Sequence, residues 1–143
     1  MEATSPEDYA AGKTLIEEYA AALGVDLCFQ NFAEEIANLP KSYGSSHGCL
    51  LLARFNGEAV GCVAVRYHGA AACEMKRLYV RPQYRGSGLG RRLTESAIRY
   101  AQQLSYSRMV LDTLPSMTEA QSLYESLGFR EVDGYYPNPL YGV

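Results

Sequence analysis

Arg85-Gly86-Ser87-Gly88-Leu89-Gly90 concentrates the residue types that hold phosphate groups. Glycine at alternate positions lets a backbone turn tightly and aim successive N–H groups into one concavity. The segment stands between a predicted strand ending Leu78-Tyr79-Val80 and a predicted helix that starts near Leu89. A helix beginning there adds its own unpaired first-turn N–H groups and the positive end of its dipole. The Arg85 guanidinium supplies a planar fork of donors matched to phosphate oxygens. The chemistry implied is the holding of a ligand that carries phosphates, most simply a pyrophosphate.

Spacing separates the kinds of phosphate ligand. A Walker A loop needs G-x-x-x-x-G-K-[ST]; the glycine loop runs into Gly90-Arg91 and does not fit, and Gly12-Lys13-Thr14 in the first predicted helix has Glu7 where the first glycine must stand. The dinucleotide fingerprint G-x-G-x-x-G fails as well, because the glycines fall at 86, 88 and 90 and follow a hairpin rather than a first βαβ strand. A net charge of −3 argues against nucleic acid, whose binding asks for a basic face, and suits a cationic acceptor such as an amine. No apolar run approaches the roughly 20 residues of a membrane span, and Met1 to Pro6 lacks the pattern of a signal peptide. Cys28, Cys49, Cys62 and Cys73 form no C-x-x-C pair and no metal-ligand spacing. Reduced thiols, no metal and a cytoplasmic location are the expectations.

The elements that must position the loop are readable in order. Ser5-Pro6-Glu7-Asp8 is a helix start, with a cap, proline at the first helical position and acids in the first turn. Leu15, Tyr19, Ala22 and Leu23 continue at helical spacing until Gly24. A weaker helix is predicted over Asn31 to Leu39, followed by a loop from Lys41 to Gly48. Cys49 to Phe55 and Ala59 to Tyr67 read as strands joined by the hairpin pair Asn56-Gly57. A third strand covers Ala72 to Val80. Leu89, Leu93, Ala97, Ile98, Ala101 and Leu104 then mark one face of a long helix. Met109-Val110-Leu111 is a short strand, and Ser116-Met117-Thr118-Glu119 opens a helix that Gly128 closes. Phe129 to Val132 is a candidate last strand. The predicted architecture is α/β, with residues 1–143 forming a single domain around a mixed, mainly antiparallel sheet flanked by helices.

Arg85-x-x-Gly88-x-Gly90, after Leu78-Tyr79-Val80 and opening a helix, resembles the coenzyme A loop of the GNAT superfamily of N-acetyltransferases. Ala120-x-x-x-Tyr124-x-x-x-Gly128-Phe129 resembles that family's later helix and following strand, in the expected order and at the expected separation. The resemblance runs from about Thr4 to Phe129. Leu111 to Met117 and the tail residues Tyr135, Tyr136 and Asn138-Pro139 resemble an uncharacterised bacterial subgroup.

The resemblance implies acetyl-CoA as donor and a primary amine of a small molecule or peptide as acceptor. It places the pantetheine arm on the backbone of Leu78, Tyr79 and Val80, and the pyrophosphate on Arg85, Gly86, Ser87, Gly88, Leu89 and Gly90. Ser116 is a substitute contact, because Met117 stands where many members carry an asparagine. An amine must lose a proton to attack, its unperturbed pKa being about 10.4, and the departing thiolate must be protonated or stabilised. Tyr124 is the candidate acid, with a packed core aromatic as the competing explanation. Glu74, four residues before Leu78, is the candidate base. Its competing explanations are an ion pair with Lys76 or Arg77, or simple attraction of a cation. Neither Cys28 nor Cys73 has a recognisable histidine activator, which favours direct attack over a cysteine-bound acyl group.

The family implies a first strand before the first helix and a final strand at the end. Here both are expected to be short, so that either the sheet is shortened or a neighbouring subunit covers its edge, and a homodimer is the expectation. The alternative to catalysis is an acyl-CoA-binding sensor or regulatory module.

Overall fold

The computed structural model describes residues 2–23, 39, 43, 48–69, 71–111 and 118–129. They fall in two units, 1–110 and 111–143, each taken by itself below.

In the first unit, helix α1 spans Pro6–Leu23. Its start is a reciprocal cap: the Asp8 amide donates to Ser5 Oγ at 3.1 Å, and Asp8 Oδ2 accepts the amides of Thr4 and Ser5 at 3.1 and 3.3 Å. Strands β1 (Cys49–Phe55), β2 (Glu58–Gly69) and β3 (Ala72–Val80) follow. Asn56 and Gly57 both take positive φ, 52° and 82°, as a tight hairpin turn between twisted strands requires. Helix α2 covers Leu89–Gln103, and β4 covers Arg108–Val110. These bounds match the predicted elements within about two residues. The predicted helix over 31–39 lies outside the described residues apart from Leu39.

The sheet order is β1-β2-β3-β4. The first two pairings are antiparallel and the last is parallel, so the sheet is mixed. Ahead of α1, Glu2 makes one antiparallel bridge to Leu51, and the Ala3 amide donates to Leu50 O at 2.8 Å. The short first strand is thus reduced to a single bridge. The final strand expected beyond Phe129 lies outside the described residues.

Both faces of the sheet are covered, which is why β1 reads Cys-Leu-Leu-Leu instead of alternating with polar residues. Leu50, Leu52, Cys62, Ala64 and Tyr79 pack with Leu15 and Ile16 of α1 in one buried cluster. On the opposite face, Gly61 lies under Leu93 of α2; a Cβ there would stand 3.1 Å from Leu93 Cδ1 and 3.0 Å from Tyr79 O.

In the second unit, helix α3 spans Thr118–Ser126. It ends in a Schellman motif: the Phe129 amide donates to Tyr124 O at 3.0 Å, and the Gly128 amide to Glu125 O at 3.0 Å, with Gly128 at φ 98°.

Candidate active site

β3 is held differently along its two edges. It pairs with β4 only through Ala72, Cys73 and Glu74, while its pairing with β2 runs on to Val80. The β2 register jumps between Cys62↔Tyr79 and Ala64↔Lys76, so Arg77 and Leu78 oppose the single residue Val63. This is a β-bulge, and Arg77 adopts φ 59° within it. The Arg77 carbonyl accepts the Cys62 thiol at 3.3 Å. A bulge bends its strand and increases local twist. Among the described residues, Leu78, Tyr79 and Val80 have no strand partner on the β4 side, which leaves an edge of peptide groups open to an extended ligand.

The chain then enters the glycine loop through a short 3-10 turn, Pro82–Tyr84. Gly86 and Gly88 take φ 85° and 84°, and a Cβ at either position would meet nothing within 4 Å. Side chains rarely adopt that conformation, so glycine supplies both the turn and the empty space. Gly88 is the N-cap of α2, and no side chain caps the first turn. The first intrahelical bond runs from the Arg92 amide to Gly88 O at 3.0 Å. Ser87 Oγ donates to Tyr84 O at 2.9 Å, holding the middle of the loop.

Arg85 does something the sequence did not indicate. Its Nε donates to Val80 O at 2.8 Å, and its guanidinium carbon lies 5.7 Å from the Tyr79 ring centroid. One of its five donors therefore buttresses the loop against the end of β3. At the loop, Arg54, Arg85 and Arg92 line a pocket of about 380 Å³ that also takes in the Phe55–Tyr84 ring pair. Three guanidinium groups around one pocket favour anions there.

Glu74 is almost wholly buried, at 1% exposure, and accepts Arg66 Nε at 3.0 Å across the β2–β3 pairing. Lys76 and Arg77 are also buried in the same strand. Arg66 is a partner of Glu74 beyond those considered from sequence. Arg66 sits eight residues away, and only the hairpin register brings it opposite. The three described cysteines, Cys49, Cys62 and Cys73, are free and buried. Burial pushes their thiols up to about 12, 12 and 11, the reverse of what a nucleophile needs. Cys28 and Ser116 lie outside the described residues. No group of three or more His, Cys, Asp or Glu able to hold a metal occurs among the described residues.

Tyr124 belongs to the second unit. It is buried, and its ring meets Phe129 edge-on at 5.8 Å between centroids. That contact is the apolar partner of the Schellman motif, which explains the Tyr124-x-x-x-Gly128-Phe129 spacing independently of any chemistry.

Residues 13–129 match the sequence profile of the acetyltransferase (GNAT) family. The chain belongs to that family. An uncharacterized N-acetyltransferase of Schizosaccharomyces pombe is 48% identical over 140 residues, covering 96% of this chain and 86% of that protein. This relative is eukaryotic, and the expected bacterial subgroup gains no support from it. Among solved structures, an acetyltransferase from Streptococcus agalactiae superposes with a TM-score of 0.76 at 25% identity, covering 97% of this chain and 90% of that one. A GNAT acetyltransferase from Elizabethkingia anophelis with acetyl-CoA bound superposes with a TM-score of 0.57 at 28% identity, covering 66% and 67%. The mixed sheet, four strands among the described residues, is with its helices the GNAT fold, and the chain is an acetyltransferase of this family. No described helix is long and apolar enough to cross a membrane.

Proposed function

We propose that this protein transfers the acetyl group of acetyl-CoA to a primary amine of a small molecule or peptide by direct attack. The observation that carries the proposal is the open edge of β3, which runs into a glycine loop with empty space at Gly86 and Gly88 and an uncapped helix start. An extended arm ending in a pyrophosphate fits that sequence of features. The backbone of Leu78, Tyr79 and Val80 holds the arm, and the amides from Gly86 through Gly90, with Ser87 and the Arg85 side chain, hold the phosphates, the Arg85 amide being engaged with Pro82 O at 3.3 Å. Ser116 is a further contact. Bound there, acetyl-CoA supplies an activated thioester.

The chain supplies the proton handling. Glu74, directly or through water, takes the proton that the amine must lose, and Arg66 orients its carboxylate. Tyr124 donates its phenolic proton to the departing sulfur. A backbone N–H of Tyr79 or Val80 polarises the acetyl carbonyl. The raised cysteine pKa values support direct attack rather than acyl transfer through a thiol. The two units act as one domain over residues 1–143, in the cytoplasm, as a homodimer.

The test is release of free coenzyme A thiol from acetyl-CoA across a panel of amines. Release with at least one acceptor is expected. Tyr124→Phe should lower kcat by about 10²- to 10⁴-fold, the usual worth of a positioned acid, with little change in coenzyme affinity. An unchanged kcat removes Tyr124 from the acid role. Binding of acetyl-CoA without release to any amine favours the sensor alternative.

A further inference from the structure

The residue joining β3 to the loop has every polar group engaged. The Arg81 amide donates to Val60 O at 2.9 Å, and its carbonyl accepts the Tyr84 amide at 2.9 Å. Its Nε and Nη2 fork onto the two carboxylate oxygens of Glu18, at 3.1 and 2.9 Å. Its Nη1 reaches Glu58 Oε1 at 2.9 Å. Tyr79 adds its hydroxyl to Glu18 Oε1 at 3.2 Å, and the Tyr79 ring meets Tyr19 edge-on at 6.2 Å. The C-terminal half of α1 is thus fastened to the point where the loop leaves the sheet.

The conformation at that point is itself constrained. Arg81 takes φ −56° and ψ 141°, the extended form that a following proline demands, and Pro82 fixes the next φ. Two fixed residues set the direction in which the loop departs, and the guanidinium fork anchors the first of them to a helix on another layer. The Glu18 carboxylate is about one-third exposed and the Arg81 side chain 19% exposed, whereas Glu58 is 62% exposed. The fork to Glu18 is therefore the stronger restraint, and the bond to Glu58 contributes little.

We infer that Glu18 and Arg81 form a positioning pair that holds the start of the coenzyme loop in its binding shape, so that coenzyme affinity depends on an ion pair between α1 and the end of β3. This rests on the coenzyme reading of the loop. The pair acts by preorganisation: a loop already held in shape loses less freedom when its ligand arrives. Tyr79 tightens the same carboxylate, sharing Glu18 Oε1 with Arg81 Nε.

The test is isothermal titration with coenzyme A, paired with steady-state kinetics in acetyl-CoA and thermal denaturation. Glu18→Gln and Arg81→Ala should each weaken coenzyme binding about tenfold, as expected for loss of a charge-assisted, part-sheltered pair, with KM rising more than kcat falls. The double variant should bind no more weakly than the worse single one. Glu58→Gln should bind like the unaltered protein. Tyr79→Phe, which removes one oxygen atom and should still fold, should weaken binding about two- to threefold. If the unaltered protein binds coenzyme A and the Glu18 and Arg81 variants bind equally well, the positioning role is overturned and the coenzyme reading stands. Variants that lose thermal stability without losing affinity overturn the positioning role in the same way. If the unaltered protein itself does not bind coenzyme A, both readings fall.

Discussion

Replacing Gly88 by alanine and, separately, by asparagine tests whether the loop needs glycine for its backbone or for the space it leaves. Gly88 sits at φ 84° as the N-cap of α2. An alanine held there brings its Cβ against its own backbone, at a cost of about 1–2 kcal/mol. No clash adds to this, since nothing lies within 4 Å of the new Cβ. For a chain of this size each 1 kcal/mol is worth about 2–4 °C, so Gly88→Ala should lower Tm by about 2–8 °C. Asparagine tolerates the left-handed region and is a favoured N-cap, so Gly88→Asn should recover much of that loss. Coenzyme affinity should not recover with it. Both side chains enter the cradle, and the asparagine amide can occupy first-turn N–H groups that a phosphate needs. The assay is thermal denaturation beside isothermal titration with coenzyme A. Affinity reduced about tenfold or more in both variants, with stability separating them, supports the cradle. Gly88→Asn binding coenzyme A as tightly as the unaltered protein refutes it.

Three further outcomes follow from the structure. Gly61→Ala drives a methyl to 3.0 Å from Tyr79 O and 3.1 Å from Leu93 Cδ1, and should cost about 1–3 kcal/mol in urea unfolding through forced separation of α2 from the sheet. Native-state alkylation at pH 8 should leave Cys49, Cys62 and Cys73 unmodified by mass spectrometry, because burial holds their thiols far above the assay pH. Asp8 is held below its ordinary value of 3.8, mainly by the Thr4 and Ser5 amides and further by Arg54. A carboxylate depressed in the folded state contributes stability that is complete above the unfolded value and lost as pH falls through the folded one. Urea midpoints measured downward from pH 5 should therefore fall more steeply for the unaltered protein than for Asp8→Asn.

The elements that position the loop could be read from residue types because their causes are local. Ser5 and Asp8 cap α1, Asn56-Gly57 makes the hairpin, and Gly128 closes α3, each through bonds within a few residues. The loop was readable for the same reason: its glycines act on their own backbone. What sequence did not disclose depends on register and on packing between layers. Arg66 reaches Glu74 only because the β2–β3 pairing places them opposite, across a hairpin with two irregularities. The bulge at Arg77 carries no glycine or proline to announce it. Glu18 and Arg81 are 63 residues apart, and nothing short of the α1-on-sheet packing brings them together. The Tyr124 motif was recognised by its spacing, yet part of that spacing belongs to the helix terminus and its Phe129 contact.

The most direct test of the coenzyme site is a titration of the isotopically labelled protein with coenzyme A, followed by backbone amide NMR. Saturable shifts at Leu78, Tyr79 and Val80 together with those from Arg85 through Gly90 are predicted. Absence of saturable shifts, or shifts confined to residues away from β3 and the loop, contradicts the assignment.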